Sequence, residues 1–413
     1  MTYKKDYIGP ILLTFPIIML PLEGFFPFTI AGLSVTALSV IPLALYTLFT
    51  RTKLFLRNFT HPCVLTGLLI FGFEFVSEIF HDNSSYSELI RNAQNLVFAV
   101  IVATLITDTR PIRIVLTAWI TISTILGFYF ILTLFARVSI PVENYAEATF
   151  LRYEVLERVR LGFDWNTVGY LVGIGAVAAL GMLLEKPNAQ HIRLLLMFSA
   201  VCCVIGSAVI LYRGPVLMIL LAGGTMLIVR AKKIPRRTPI FIVIFILAMS
   251  SIFIPPALPK RFEIELQPGD SEQYMDPRVK IYSRAIALMP QYFLTGVGRG
   301  GYYELWGPKN GFIHNFMADR GLERAPGLHN AFLQNFVFYG VAALLLLCLL
   351  AYRARRCLYA VRQDFPFFVT MRGLAMSGLV IMLLSHMLYA KELGLILGML
   401  IAAERLGKRC ASS

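Results

Sequence analysis

His329 is followed by Asn330 and the apolar run Ala331-Phe332-Leu333, directly after the breaker cluster Ala325-Pro326-Gly327-Leu328. An imidazole so placed stands at the positive N-terminal end of a helix, where the macrodipole disfavours its charged form and lowers its pKa. A neutral imidazole at neutral pH can serve as a general base. Arg278, Arg284 and Arg299 precede it in the same segment, and Arg213 stands in Tyr212-Arg213-Gly214-Pro215 between two apolar runs. A guanidinium together with the free N–H groups of a helix N-terminus is a natural phosphate site. A base beside fixed cations suits chemistry on an anionic substrate. The plainer readings are a capping histidine and an arginine snorkelling to a membrane interface.

Neighbouring residues form a second rank. Arg160 follows Arg152 and Arg158 among Glu143, Glu147, Glu154 and Glu157, a mixed-charge pattern typical of a solvated helix, and it leads into Gly162-Phe163-Asp164-Trp165. His314-Asn315 repeats the His-Asn pair, but Phe312, Ile313, Phe316 and Met317 around it read as packing. Asp276-Pro277 starts a helix well, with the carboxylate as N-cap and proline at the first position. Val279, Tyr282, Ile286 and Met289 then recur at helical spacing, Pro290 marks the end, and Arg278 and Arg284 occupy the more polar sides. Gly296-Val297-Gly298-Arg299-Gly300-Gly301 formally matches GxGxxG. A dinucleotide site needs that motif between a strand and a helix, so these glycines instead make a sharp turn or let backbone N–H groups approach an anion.

The elements that must position these groups are membrane helices. With 57% hydrophobic and 15% charged residues over 413, and a mean hydropathy of +0.69, the chain carries far more apolar surface than a soluble core could bury. The expected fold class is an all-α polytopic membrane protein with about 12 transmembrane helices of close to 20 residues each. The spans are read at 8–20, 28–49, 62–80, 87–107, 111–136, 166–184, 191–211, 215–230, 238–255, 331–351, 366–388 and 393–404. Three regions follow: 1–255, holding the first nine helices with a short outer loop near 137–163; 256–330, a large outer loop with amphipathic helices; and 331–413, the last three helices and a tail.

Charge supports this count. Arg51/Lys53/Arg57, Arg110/Arg113, Lys186/Arg193, Arg230/Lys232/Lys233 and Arg353/Arg355/Arg356 all fall on one side, whereas Pro21–Pro27 and His81–Glu88 carry no Lys or Arg. The positive-inside rule then puts both termini in the cytoplasm. Part of the +14 net charge is explained by orientation and anionic headgroups. The external arginines are not, and they point to an anionic ligand rather than to nucleic acid. The N-terminal run leads straight into further spans, so the first helix is expected to remain as an anchor.

Cys63, Cys202, Cys203, Cys348, Cys357 and Cys410 lie in spans or on the inside, without CxxC spacing. They offer neither an external disulfide framework nor a metal motif, and no DxD, HExxH or Walker sequence occurs. No metal and no cofactor is expected. Glu74 and Glu78 are the main carboxylates within a span. A proton-coupled carrier would use such groups, and helix-packing hydrogen bonds would employ them as well.

With these residues in view, the chain resembles the O-antigen ligase and polymerase superfamily of bacterial inner-membrane glycosyltransferases. The ligase pattern is His, then Asn, Ser or Gln, nine residues, Gly, two residues, then Gly, Thr or Tyr. Here it reads His329-Asn330, nine residues to Tyr339, Gly340, Val341-Ala342 and Ala343, departing only at the last position. Arg278-Val279-Lys280-Ile281-Tyr282 leading to Leu294-Thr295-Gly296-Val297-Gly298 resembles the family's arginine helix and GxG segment, and Arg213 matches its arginine after the seventh span. The resemblance implies a GT-C-like bundle in the inner membrane with a periplasmic active site. It implies metal-independent, inverting transfer of a glycan from undecaprenyl pyrophosphate, in the ligase to a sugar hydroxyl of lipid A-core. His329, Arg213 and Arg278 would be catalytic, with Arg284, Arg299, Arg160, His314 and Asn330 contacting substrate. A polymerase or a protein O-oligosaccharyltransferase would use the same constellation, and a lipid or polysaccharide transporter is the alternative of another class.

Overall fold

A computed structural model describes residues 8–22, 35–80, 87–135, 165–185, 189–209, 213–230, 282, 285–287, 289–298, 301–302, 328–361, 363–384 and 391–412. Its helices are α1 (Ile8–Leu22), α2 (Val35–Phe59), α3 (Pro62–Phe80), α4 (Ser87–Leu105), α5 (Thr109–Phe135) and α6 (Trp165–Leu184). They continue as α7 (Gln190–Val209), α8 (Arg213–Arg230), the single turn α9 (Met289–Tyr292), α10 (Ala331–Ala360), α11 (Phe368–Leu384) and α12 (Lys391–Ser412). No strand occurs among the described residues. Eleven of the expected spans coincide with helices, and the expected ninth, 238–255, lies outside the described residues.

Among the described residues four helices are long and apolar enough to cross a membrane: Pro62–Phe80, Thr109–Leu132, Gln190–Val209 and Ala331–Ala360. Five shorter apolar helices accompany them, among them Val168–Leu184 and Gly214–Arg230. The last helix runs from Lys391 to Ser412, well beyond the expected 393–404. Likewise α2 extends past residue 49 to Phe59, turning at Arg51 where the backbone leaves helical geometry (φ −140°, ψ 31°).

In the bundle, α6 packs against α5, α7, α8 and α11, while α4 packs against α2, α3 and α12, and α10 against α3, α11 and α12. Small residues allow close approach, as expected where lipid supplies no hydrophobic drive between helices. A Cβ on Gly206 of α7 would lie 2.5 Å from the Gly127 Cα of α5, and one on Gly398 of α12 would lie 2.6 Å from the Ala99 carbonyl oxygen of α4. These helices pack backbone to backbone.

One end of the bundle is wired by arginines that hydropathy alone assigns only to orientation. Buried Arg51 donates from Nη1 to the Thr104 and Leu105 carbonyls at 3.2 and 3.3 Å. Arg405 donates from Nη2 to the Ala103 carbonyl at 2.8 Å and to that of Ile106, and from Nη1 to Asn58 Oδ1 at 3.1 Å. The carbonyls left over at the C-terminal end of α4 thus meet two guanidiniums, which also suit the negative end of its dipole. At the same end Arg353 of α10 donates to the Pro62 carbonyl at 2.7 Å and to Thr66 Oγ1 at 2.5 Å. Glu185, just after α6, accepts from the Val369 N–H of α11 at 2.7 Å and more weakly from Thr370 at 3.4 Å. Burial pushes its carboxyl pKa up, partly offset by those two N–H groups and by Arg230.

Candidate active site

The opposite end of α10 carries the His-Asn pair. Asn330 is the N-cap of α10: its backbone is extended (φ −152°, ψ 113°) and its Oδ1 accepts from the Leu333 N–H at 2.9 Å. Its own carbonyl accepts from the Gln334 N–H at 2.9 Å. Both bonds satisfy the first turn, as capping requires. Asn330, expected to touch substrate, thus also serves as the cap of this helix through its Oδ1. His329, one residue earlier, is the one non-glycine residue with positive φ among those described (φ 50°), and it is partly exposed while Leu328 beside it is 1% exposed. The left-handed backbone costs a non-glycine residue about 1–2 kcal/mol and persists only where its surroundings hold it.

Those surroundings are a small core separate from that of the bundle. Ala285, Tyr292, Tyr302, Leu328, Val337, Phe338, Tyr339 and Ala343 are buried together, with Tyr282 and Val297 packed against them. The loop segment bearing the expected arginine helix is therefore docked on the first turns of α10. Tyr292 donates its hydroxyl to the Ala285 carbonyl, and burial pushes its pKa up to about 12, so it stays a donor at any physiological pH. Ile286 and Met289 are exposed while Ala285 is buried, so the inward stripe is Tyr282, Ala285 and Tyr292. Pro290 lies in the separate turn α9, which runs from Met289 to Tyr292, and proline is tolerated in a first turn that needs no N–H from it.

The glycines of the GxGxxG match have a structural use. Gly296 (φ 73°) lies so close to α10 that a Cβ there would sit 2.1 Å from the Phe338 carbonyl oxygen. Gly340 (φ 77°, ψ −170°) breaks α10, and its Cβ would sit 2.2 Å from the Leu294 carbonyl oxygen. At the break Val297 donates its N–H to the Val337 carbonyl at 3.1 Å and Val341 donates to the Phe293 carbonyl at 2.8 Å. The loop thus repairs the hydrogen bonding that the broken helix forgoes. Next to Gly340, Tyr339 donates its hydroxyl to Glu78 Oε1 of α3 at 2.7 Å, in a buried contact.

Of the other residues singled out, Arg213 is the first residue of α8, with the free N–H groups of that helix following it; its side chain lies outside the described residues. Arg278, Arg284, Arg299, Arg160 and His314 also lie outside them. Glu74 accepts from Asn92 Nδ2 at 3.0 Å across α3 and α4, a bond that holds helices together. It also lines an apolar cavity of about 590 Å³ between α3, α4, α10, α11 and α12, which contains neither His329 nor Asn330.

Residues 195–348 match the family model described as O-antigen ligase. The match covers little more than a third of the chain, from α7 into α10, and likens that stretch to the O-antigen ligase family. The matched stretch runs from α7 through the start of α8, the Gly296 turn, His329 and the Gly340 break. The matched family suggests glycosyltransferase-type enzymes broadly, and the apolar helices fit a membrane protein. No curated protein matches the chain. Tyr339, Glu78 and the helix break at Gly340 were not singled out as a unit in the sequence; a glycine amid the apolar run of α10 was the available signal.

Proposed function

We propose that this chain is an O-antigen ligase acting at the periplasmic face of the inner membrane, with both termini cytoplasmic. It transfers glycan from undecaprenyl pyrophosphate to a sugar hydroxyl of lipid A-core. The observation that carries this reading is the shared packing unit. Leu328, next to His329, is buried with Tyr282, Ala285 and Tyr292, from the segment that contains Arg284 and begins near Arg278. One folded unit therefore ties the histidine to the arginine-bearing segment.

In the proposed reaction the acceptor oxygen attacks the anomeric carbon from the face opposite the pyrophosphate. His329 takes the hydroxyl proton, and the C–O bond to the pyrophosphate breaks with its electron pair on the leaving oxygen. Arg213 and Arg278 bind that pyrophosphate and hold it most tightly when its charge is greatest. Arg284, Arg299, Arg160 and His314 contact phosphate or sugar. General-base assistance contributes about 10²–10⁴-fold. Fixing donor and acceptor in line contributes further.

The test uses purified protein, lipid-linked donor and lipid A-core. Transfer to lipid A-core that collapses in His329→Ala and Arg213→Lys supports the reading; Arg213→Lys keeps the charge but loses the fork. Full ligation by His329→Ala refutes the base. Elongation of the donor without lipid A-core assigns a polymerase instead, and transfer to protein an O-oligosaccharyltransferase.

A further inference from the structure

At the arginine-wired end of the bundle, far from the His-Asn pair in sequence, His61, Cys63 and Cys357 bring two thiols and an imidazole nitrogen within 4.8 Å of one another. The two Sγ atoms are 3.5 Å apart. That is too long for a disulfide, whose bond is about 2.05 Å. It is close to the edge of a tetrahedron with zinc–sulfur bonds of 2.3 Å, roughly 3.8 Å. We infer that His61, Cys63 and Cys357 form a structural zinc site, with Glu404 orienting the histidine and the fourth position left to water.

The hydrogen bonds around His61 suit this role. The Cys63 N–H donates to Nδ1 at 3.2 Å, so Nδ1 carries the lone pair, which zinc would take over from this long hydrogen bond. Nε2 then carries the proton and lies 3.2 Å from Glu404 Oε2. A carboxylate on the outer nitrogen is how metal-ligating histidines are commonly oriented. Glu404 is in turn paired with Lys408 at 2.5 Å. Zinc displaces one proton from each thiol, so two thiolates balance the ion and the buried cluster is neutral. The thiols are 0% and 2% exposed, while the His61 and Glu404 side chains are 18% and 15% exposed and provide the way in. A soft, d¹⁰ ion matches a Cys₂His donor set.

The site would tie the start of α3 and the inner part of α12 to α10, the helix whose far end follows His329. It is independent of the proposed reaction, which uses none of these residues. The experiment is zinc titration of the full chain in lipid nanodiscs, after chelation and under a non-thiol reductant, against a competing chromogenic chelator, with cobalt(II) as spectroscopic probe. The expected result is one zinc per chain, a raised Tm and a thiolate-to-cobalt charge-transfer band. Cys63→Ser and Cys357→Ser should abolish the band, Cys202→Ser with Cys203→Ser should leave it intact, and Glu404→Gln should weaken binding about 10–100-fold. Failure of wild type to bind zinc, retention of the band in Cys63→Ser/Cys357→Ser, or isolation of the pair as a disulfide from reducing lysate overturns the inference. Wild-type zinc content settles the matter even if a variant fails to fold.

Discussion

Gly296 and Gly340 meet backbone to backbone: a Cβ on Gly340 would lie 2.9 Å from the Gly296 nitrogen, and both residues hold positive φ. The contact joins the turn at Gly296 to the break in α10, and with it the segment of the expected arginine helix to the helix behind His329. Gly296→Ala and Gly340→Ala each force a side chain into backbone and strain the left-handed conformation. Each should destabilise the outer unit by about 1–3 kcal/mol from strain alone, with the clash adding to it. Limited proteolysis in nanodiscs should then cut the loop faster while the bundle stays intact, and equal cutting rates would refute the coupling.

Tyr339→Phe removes the hydroxyl that donates to buried Glu78 across α3 and α10. The expected loss is about 1–3 kcal/mol, the cost of leaving a buried acceptor without its partner. Glu78→Ala should remove most of the effect of Tyr339→Phe, because the acceptor is then gone. A double-mutant cycle by thermal unfolding measures this, and additivity would exclude a direct bond.

His329→Gly separates chemistry from strain. Glycine adopts φ 50° freely, so this variant should unfold about 1 kcal/mol later than His329→Ala, while both lack transfer activity. Equal stability of the two would mean the left-handed backbone is not costly here. For the neighbour, Asn330→Ser keeps a capping oxygen and should retain folding and most activity, whereas Asn330→Ala should lose about 0.5–2 kcal/mol.

Glu185 gives a pH dependence with a definite sign. Its folded pKa is raised by burial, so its contribution to stability is present below the ordinary glutamate pKa and lost as pH rises through the raised value. Glu185→Gln keeps an acceptor for the Val369 N–H without the charge. Its Tm relative to wild type should therefore climb as pH increases from about 4 into the neutral range, and a flat difference would contradict the shift.

The sequence by itself determined the helices, because an apolar run of span length has few alternatives in lipid, where every backbone polar group needs an internal partner. It also determined the His329-Asn330 helix start, since breaker, cap and apolar run are contiguous in the chain. Local patterns could not reveal which faces meet. In the segment before α10, Ala285 and Tyr292 are buried with Tyr282 packed against them, whereas Ile286 and Met289 are exposed. Tertiary structure alone decided that Gly296 closes on Gly340, that Tyr339 reaches Glu78, and that Cys63 stands 3.5 Å from Cys357. Each relationship joins residues far apart in the chain through side chains or backbones that only packing brings within reach, and spacing along a sequence carries no record of distance through the fold.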